Sequence, residues 1–320
     1  GRLVAESRVP VSAEGGTVPV TLHLADLMAP LLRVTAHVVE GPMRSLQNWE
    51  TLNSSVNTLY LPVRLPPPGL APSLVVGSPV MDEYNARFYL QQLRKQGVNL
   101  VHAEAGDTAL TYAAEAGLAL VPRLTDLDAT IVDGIIREPC LNTEAYQQSQ
   151  AARIEEMTAY HWAGGNSYYG LGAGNSLSTT EENVCQCPTC LHGFQRWLRE
   201  AYDSLEDLNA KWATDFIDWE EVRPLPRDEA RSTQHYAPWV DFRNYMNQSF
   251  TAFHHLLLEH LNKVDNNGKG GALLRSGQNP MHGYAWPDLL RTLDFAVVEP
   301  TPPLLGRLRA FSNTAPLNGI

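Results

Sequence analysis

The rhythm of hydrophobic and polar positions changes once along this chain, at about residue 73. Before it, the runs Thr17–Leu24, Leu32–Val39 and Thr58–Val63 alternate apolar with polar residues and are broken by Gly15-Gly16 and Gly41-Pro42. Period-two alternation places every second side chain on one face of a strand, so residues 1–63 predict antiparallel strands in a small β-sandwich-like domain. Arg64–Pro72 holds four prolines and reads as a stiff linker. After Ser73 the pattern becomes strand, helix, strand. Leu74–Val76, Asn99–Val101, Leu118–Leu124, Ser167–Gly172, Gly271–Ser276 and Leu293–Glu299 predict six strands. Helical spacing predicts Glu83–Gln96, with Phe88, Leu90 and Leu93 on one face, then Thr108–Ala116, Asn142 to about His161, Phe194–Tyr202, Leu205–Trp212 and Tyr236–Val264. Gly97 and Gly117 follow two of these helices as stops. A further helix is expected at Leu304–Phe311 and the start of a seventh strand at Leu317–Ile320. Strands and helices alternating in this way build a parallel sheet with right-handed crossovers. A closed barrel needs eight such units, so the sheet is either open or a barrel cut short.

Composition bounds what this scaffold can meet. A chain of 320 residues with 44% hydrophobic and 18% charged positions can bury a sizeable core. Its net charge of −11 argues against nucleic acid or an anionic membrane as partner. No apolar run approaches the roughly 20 residues of a membrane helix. The opening Gly1-Arg-Leu-Val lacks a signal-peptide pattern, although a removed leader or a missing upstream part would leave the same start. The compartment and the existence of a homo-oligomer are left open.

The sharpest chemistry lies in the cysteines. Cys185, Cys187 and Cys190 form a C-x-C-x2-C run, and Cys140, the one remaining cysteine, lies upstream. Short loop turns at this spacing can aim several thiolates at one point, and a soft tetrahedral ion such as zinc takes four sulfurs at about 2.3 Å. The competing readings are two disulfides, or buried thiols acting as small apolar residues; a Cys185–Cys187 bridge is disfavoured by the tightness of the loop. Four protein ligands would leave no position for water, so the ion would be structural.

Around these cysteines the chain resembles a known family. Arg137-Glu-Pro-Cys140-Leu-Asn142, the C-x-C-x2-C run, Phe194-x-x-Trp197-Leu198-x-x-x-Tyr202 and Leu208-Asn209-x-x-Trp212 are similar to the four-cysteine zinc segment of glycoside hydrolase family 42. The similarity is strong over about residues 137–219, looser over 73–136 and 236–300, and absent from the first 60. It implies a TIM-type (β/α)8 barrel over residues 73–320, of which about six units are present, and so a fold incomplete at the C-terminus. It also implies retaining hydrolysis of terminal β-galactosides and a carbohydrate partner. In the family an acid/base glutamate ends the fourth strand, directly after an asparagine or similar polar residue; here that place reads Gly172-Ala173-Gly174-Asn175, with Gly174 at the expected acid position. Three explanations compete: loss or alteration of the Asn-Glu pair, an acid supplied by Glu181 or Glu182, or a plain glycine turn. Loss is favoured, because a loop glutamate needs neighbours to hold it. The family's nucleophile ends the seventh strand, beyond Ile320. The resulting alternatives to a hydrolase are a silent carbohydrate-binding barrel and a zinc-stapled interaction module.

A sugar-binding wall is expected from Glu299, Gln278 and Asn279 at strand ends, with Tyr284 and Trp286 as flat faces for pyranose rings. Packing in the core or a loop is the equal alternative for the two aromatics, and solvent exposure for Glu299. Asp82, Glu83, His102 and Glu104 are weaker rim candidates, and His254, His255 and His260 are expected at the surface.

Overall fold

The computed structural model describes residues 5–12, 14, 16–22, 31–39, 54–62, 75–77, 85–98, 100–104, 107–163, 166–178, 183–274 and 282–297. The chain divides into two compact units, Gly1–Leu65 and Pro66–Ile320. In the first, β1 (Leu31–Val39) and β2 (Ser54–Pro62) pair antiparallel from Leu31↔Pro62 to Val39↔Ser54. Residues 17–22 of the first expected strand form no strand. Its last two residues, and the linker from Arg64 to Pro72, lie outside the described residues.

The second unit carries one six-stranded sheet in the order β10-β9-β8-β5-β4-β3. Its strands are β3 (Val75–Gly77), β4 (Leu100–Glu104), β5 (Ala119–Arg123), β8 (Tyr168–Asn175), β9 (Lys269–Leu274) and β10 (Phe295–Val297). All neighbours are parallel. Strand neighbours follow chain order because each returns through a helix: α1 (Ala86–Lys95), α2 (Asp107–Ala116), α3 (Glu144–Ala163), a group comprising α4 (Pro188–Ala201), α5 (Leu205–Trp212), α6 (Arg227–Thr233) and α7 (Ala237–Val264), and then α8 (Trp286–Thr292). A short hairpin, β6 (Thr130–Val132) with β7 (Ile136–Glu138), is inserted after β5. The sequence rhythm did not announce it, because strands of three residues are too short to show a period. Leu304–Phe311 and Leu317–Ile320 lie outside the described residues.

Two faces of the sheet are buried in different ways. Val101, Ala103 and Leu120 pack outward against Ala86, Leu90 and Leu93 of α1 and Tyr112 and Ala113 of α2. Ala86, Leu90 and Leu93 fall at helical spacing, while Phe88, expected on that face, is 68% exposed. Inward, Leu100 of β4, Val121 of β5 and Val297 of β10 form one buried cluster, with Tyr168, Leu273 and Phe295 against it. Since β10 and β4 are separated by three strands, side chains that meet this way require a strongly curled sheet. Parallel strands in chain order, helices outside and apolar side chains within are the TIM-type α/β arrangement. His102 joins the inward face, and Gly170 admits it, since a Cβ there would lie 2.8 Å from His102 Nε2.

The largest cluster lies outside β8 and β9, where α3, α4, α5, α7 and the cysteine loop meet. Phe194, Trp212 and Phe242 are buried, with Phe194 edge-on to Phe242 at 5.2 Å. Ser204 caps α5 by accepting from Asp207 N at 3.2 Å. Asp241 Oδ2 accepts from Trp212 Nε1 at 2.9 Å and Tyr202 Oη at 2.5 Å, tying α5 to α7. Among the described residues no helix is long and apolar enough to cross a membrane.

Phe194→Ala should lower the unfolding free energy by about 3–5 kcal/mol, read by urea denaturation. Ile217, 86% exposed, should tolerate Ala within about 0.5 kcal/mol.

Candidate metal centre and strand-end site

Three pieces of chain bring the four cysteines together. Cys140 follows the β6–β7 hairpin, Cys185 and Cys187 lie in the loop after β8, and Cys190 stands in the first turn of α4. Their sulfurs all lie within 4.8 Å of one another and all four residues are buried. Cys140 Sγ is 3.4 Å from both Cys190 Sγ and Cys187 Sγ. That exceeds the roughly 2.0 Å of a covalent S–S bond, and it approaches the roughly 3.8 Å edge of a tetrahedron with 2.3 Å metal–sulfur bonds. The cluster is therefore close enough to hold one metal ion.

Backbone and amide donors are aimed at the sulfurs. Arg137 N donates to Cys185 Sγ at 3.3 Å, Asn142 N to Cys140 Sγ at 3.4 Å and Asn142 Nδ2 to Cys190 Sγ at 3.3 Å. Asn142 Nδ2 also reaches Tyr245 Oη at 3.4 Å and Ser249 Oγ at 3.3 Å on α7. Donors that point at sulfur favour thiolate, as does the positive end of α4. Hydrogen bonds with Cys140 and Cys190 hold the Cys185 thiol far below its usual range, and those with Cys140 and Cys185 push Cys190 up. A divalent cation would stabilise all four as thiolates. Gln186 N donates to Ile135 O at 2.8 Å, which fastens the cysteine loop to the hairpin turn.

Beside this cluster runs the end of β8. The strand continues to Asn175, further than its sequence predicts, and its register against β9 slips between Gly170 and Ala173 and again between Ala173 and Asn175. Gly174 has φ +68°, in the left-handed region that only glycine enters without strain. Asn175 is 1% exposed. Its Nδ2 donates to Leu171 O at 2.8 Å and to His254 Nε2 at 2.9 Å. His254 Nδ1 lies 2.9 Å from Phe250 O, so the proton sits on Nδ1 and Nε2 accepts. Tyr284 Oη donates to Asn175 O at 2.6 Å.

These contacts revise several expectations. His254, expected at the surface, is fully buried, because its ring is the partner of a strand-end amide 79 residues away. His255 is exposed beside Glu259, and His260 is partly buried against Glu155 at 2.7 Å. Tyr284 at 2% and Trp286 at 7% exposure pack in the main core with Phe250 and Leu289, so core packing is the reading their surroundings favour over a solvent-facing platform. His102 is buried with neither ring nitrogen bonded among the described residues, while Glu104 sits at the rim on Arg123 at 2.5 Å. Glu299, Gln278, Asn279, Glu181, Glu182, Asp82 and Glu83 lie outside the described residues. Arg137, quoted from the sequence only as part of the motif around Cys140, is fully buried on β7, where its side chain donates to the carbonyls of Leu127, Pro139 and Leu177.

A parallel sheet of TIM type, with a four-sulfur cluster after its fourth strand, defines an α/β protein with a candidate metal centre. Residues 123–273 match the family model of glycoside hydrolase family 42, described as β-galactosidase. The β-galactosidase LacZ of Heyndrickxia coagulans is 29% identical over 107 residues, 32% of this chain and 16% of that one. BgaH of Haloferax lucentense is 27% identical over 147 residues, covering 43% and 22%. The β-galactosidase structure from Bacillus circulans sp. alkalophilus superposes with a TM-score of 0.58 at 13% identity, over 77% of this chain and 43% of that one. The chain thus spans 16% and 22% of the length of those two curated relatives.

Burial lowers the pKa of His254 from 6.5 to about 4. The unfolded chain then binds the proton first as pH falls, so stability is full above 6.5 and is lost between 6.5 and about 4. At about 1.4 kcal/mol per unit this amounts to roughly 3 kcal/mol. His254→Gln should flatten the pH dependence of urea-unfolding stability in that window by an amount of this order.

Proposed function

We propose that the protein acts on terminal β-galactosides as a family-42-type glycoside hydrolase, by retaining hydrolysis through a glycosyl-enzyme intermediate. The observation that carries this reading is the match of residues 123–273 to the β-galactosidase family model. Cys140, Cys185, Cys187 and Cys190 fit a single zinc ion: four soft donors, all buried and within 4.8 Å, with N–H groups directed at three of the sulfurs. With no open position for water, such an ion would fix the loop after β8 and take no part in bond cleavage.

A retaining glycosidase needs a carboxylic acid to protonate the leaving oxygen while a carboxylate attacks the anomeric carbon. The same acid, now ionised, later activates the water. In the resembling family the acid follows an asparagine at the strand end; with β8 running to Asn175, we take Ser176 as a second candidate for that position beside Gly174. Neither carries a carboxyl, and a glutamate at Gly174 would be strained at φ +68°. The absence of any acidic residue from Gly172 to Ser178 favours a second reading, a barrel that binds the sugar without cleaving it. Glu299, Gln278 and Asn279 are the proposed hydroxyl partners in either case, and Tyr284 and Trp286 would act from the core as support.

A leaving group of low pKa departs without protonation, which separates the readings. If only the acid is missing, dinitrophenyl β-galactoside should be cleaved, with lactose slower by a factor of about 100 or more. Ser176→Glu should then recover lactose hydrolysis. Galactose binding in calorimetry with no cleavage of either compound would establish the second reading, and no binding and no cleavage would refute both.

A further inference from the structure

Two donors on one residue meet two different sulfurs. Asn142 stands in the turn between Cys140 and α3, and that turn is fixed by its own bonds: Thr143 N and Oγ1 donate to Cys140 O at 3.3 and 2.9 Å, and Gln147 Nε2 donates to Leu141 O at 2.9 Å. So held, the backbone N–H of Asn142 points at Cys140 Sγ at 3.4 Å, while its side-chain Nδ2 lies 3.3 Å from Cys190 Sγ. Cys140 and Cys190 belong to pieces of chain 50 residues apart, and their sulfurs are 3.4 Å from each other. Asn142 therefore spans the pair.

The amide is oriented from behind. Its Nδ2 also reaches Tyr245 Oη at 3.4 Å and Ser249 Oγ at 3.3 Å, one helical turn apart on α7. Gly193 of α4 leaves room for the phenol, since a Cβ there would collide with Tyr245 Oη. The two hydrogens on Nδ2 thus serve the sulfur on one side and the hydroxyls on the other. Turned over, the amide would set its carbonyl oxygen against a thiolate, which offers only lone pairs, and the two would repel.

A metal-bound thiolate keeps excess negative charge, so an N–H directed at it makes a charge-assisted hydrogen bond. Partners of this kind orient the ligands and are worth about 10–100-fold in metal affinity. Cys140 and Cys185 receive backbone N–H groups, from Asn142 and Arg137, which no side-chain replacement removes. At Cys190, fully buried in the first turn of α4, the donor is the side chain of Asn142.

We propose that Asn142, seated by Tyr245 and Ser249, is a positioning residue that holds Cys190 Sγ in its ligating orientation and slows release of the metal. This rests on the metal reading above and deepens it: the ligand set extends outward through one amide to α7.

Zinc release to a chromophoric chelator, timed on the whole chain after its zinc content has been measured, tests this. Asn142→Ala and Asn142→Asp keep the four cysteines and the backbone N–H to Cys140, and each should release zinc about tenfold faster or more. Loaded with Co2+, each should also show its sulfur-to-metal charge-transfer band at longer wavelength than the wild type, because a hydrogen bond lowers the energy of the sulfur lone pairs and its loss raises it. Unchanged release overturns the proposal. Faster release with no shift of the band overturns it too, since that marks general loosening. If neither variant folds, wild-type protein loaded with spin-active cadmium decides: a scalar coupling between the ion and an Asn142 side-chain amide hydrogen, which passes only through a hydrogen bond to a ligand sulfur, is expected, and no such coupling refutes the assignment. A chain that takes up none of these ions fails earlier, and overturns the metal reading itself.

Discussion

The convergence of four buried sulfurs on one point is the constraint from which the rest of the second unit is arranged. Cys140 arrives from a hairpin, Cys185 and Cys187 from the loop after β8, and Cys190 from the first turn of α4. Short loops of this kind rarely bury well, because their backbone groups need partners. Here they find them in one another and in the sulfurs: Gln186 bonds across to Ile135, and Arg137 and Asn142 direct N–H groups at the thiols. The aromatic cluster of α4, α5 and α7 then packs behind, with Asn142 reaching α7 through Tyr245 and Ser249.

The same arrangement sets the end of β8. In a barrel of this type ligands meet the C-terminal ends of the strands, and at β8 that end is a strand with two register slips and glycines at positive φ. Asn175 is held by Leu171, His254 and Tyr284, so its amide donors are already spent inside the protein. A side chain so engaged is a structural pivot. The segment from Gly172 to Ser178 carries no acidic residue that could transfer a proton.

What the sequence disclosed divides by range. The cysteine cluster was legible because three of its ligands lie within six residues, and the helices α1, α4, α5 and α7 because apolar spacing is a local property. His254 was not, since its partner Asn175 lies 79 residues away and a histidine pair in a long polar helix looks like surface. Phe88 misled because α1 buries Ala86, Leu90 and Leu93, leaving the larger ring outside. Tyr284 and Trp286 read equally as sugar platforms or as packing, because aromatic residues near strand ends look alike in sequence; the contacts of Tyr284 with Phe250 and Trp286 appear only in the fold. Arg137 belonged to the legible motif before Cys140, but its burial did not show there, because its partners Leu127 and Leu177 lie 10 and 40 residues away.

Whether the four sulfurs share one ion is tested most directly by X-ray absorption at the zinc edge on protein purified with its native metal. One zinc per chain, with four sulfur neighbours at about 2.3 Å and no oxygen or nitrogen ligand, is the predicted result. Fewer than four sulfurs, a light-atom ligand in the inner sphere, or a stoichiometry near zero would contradict it.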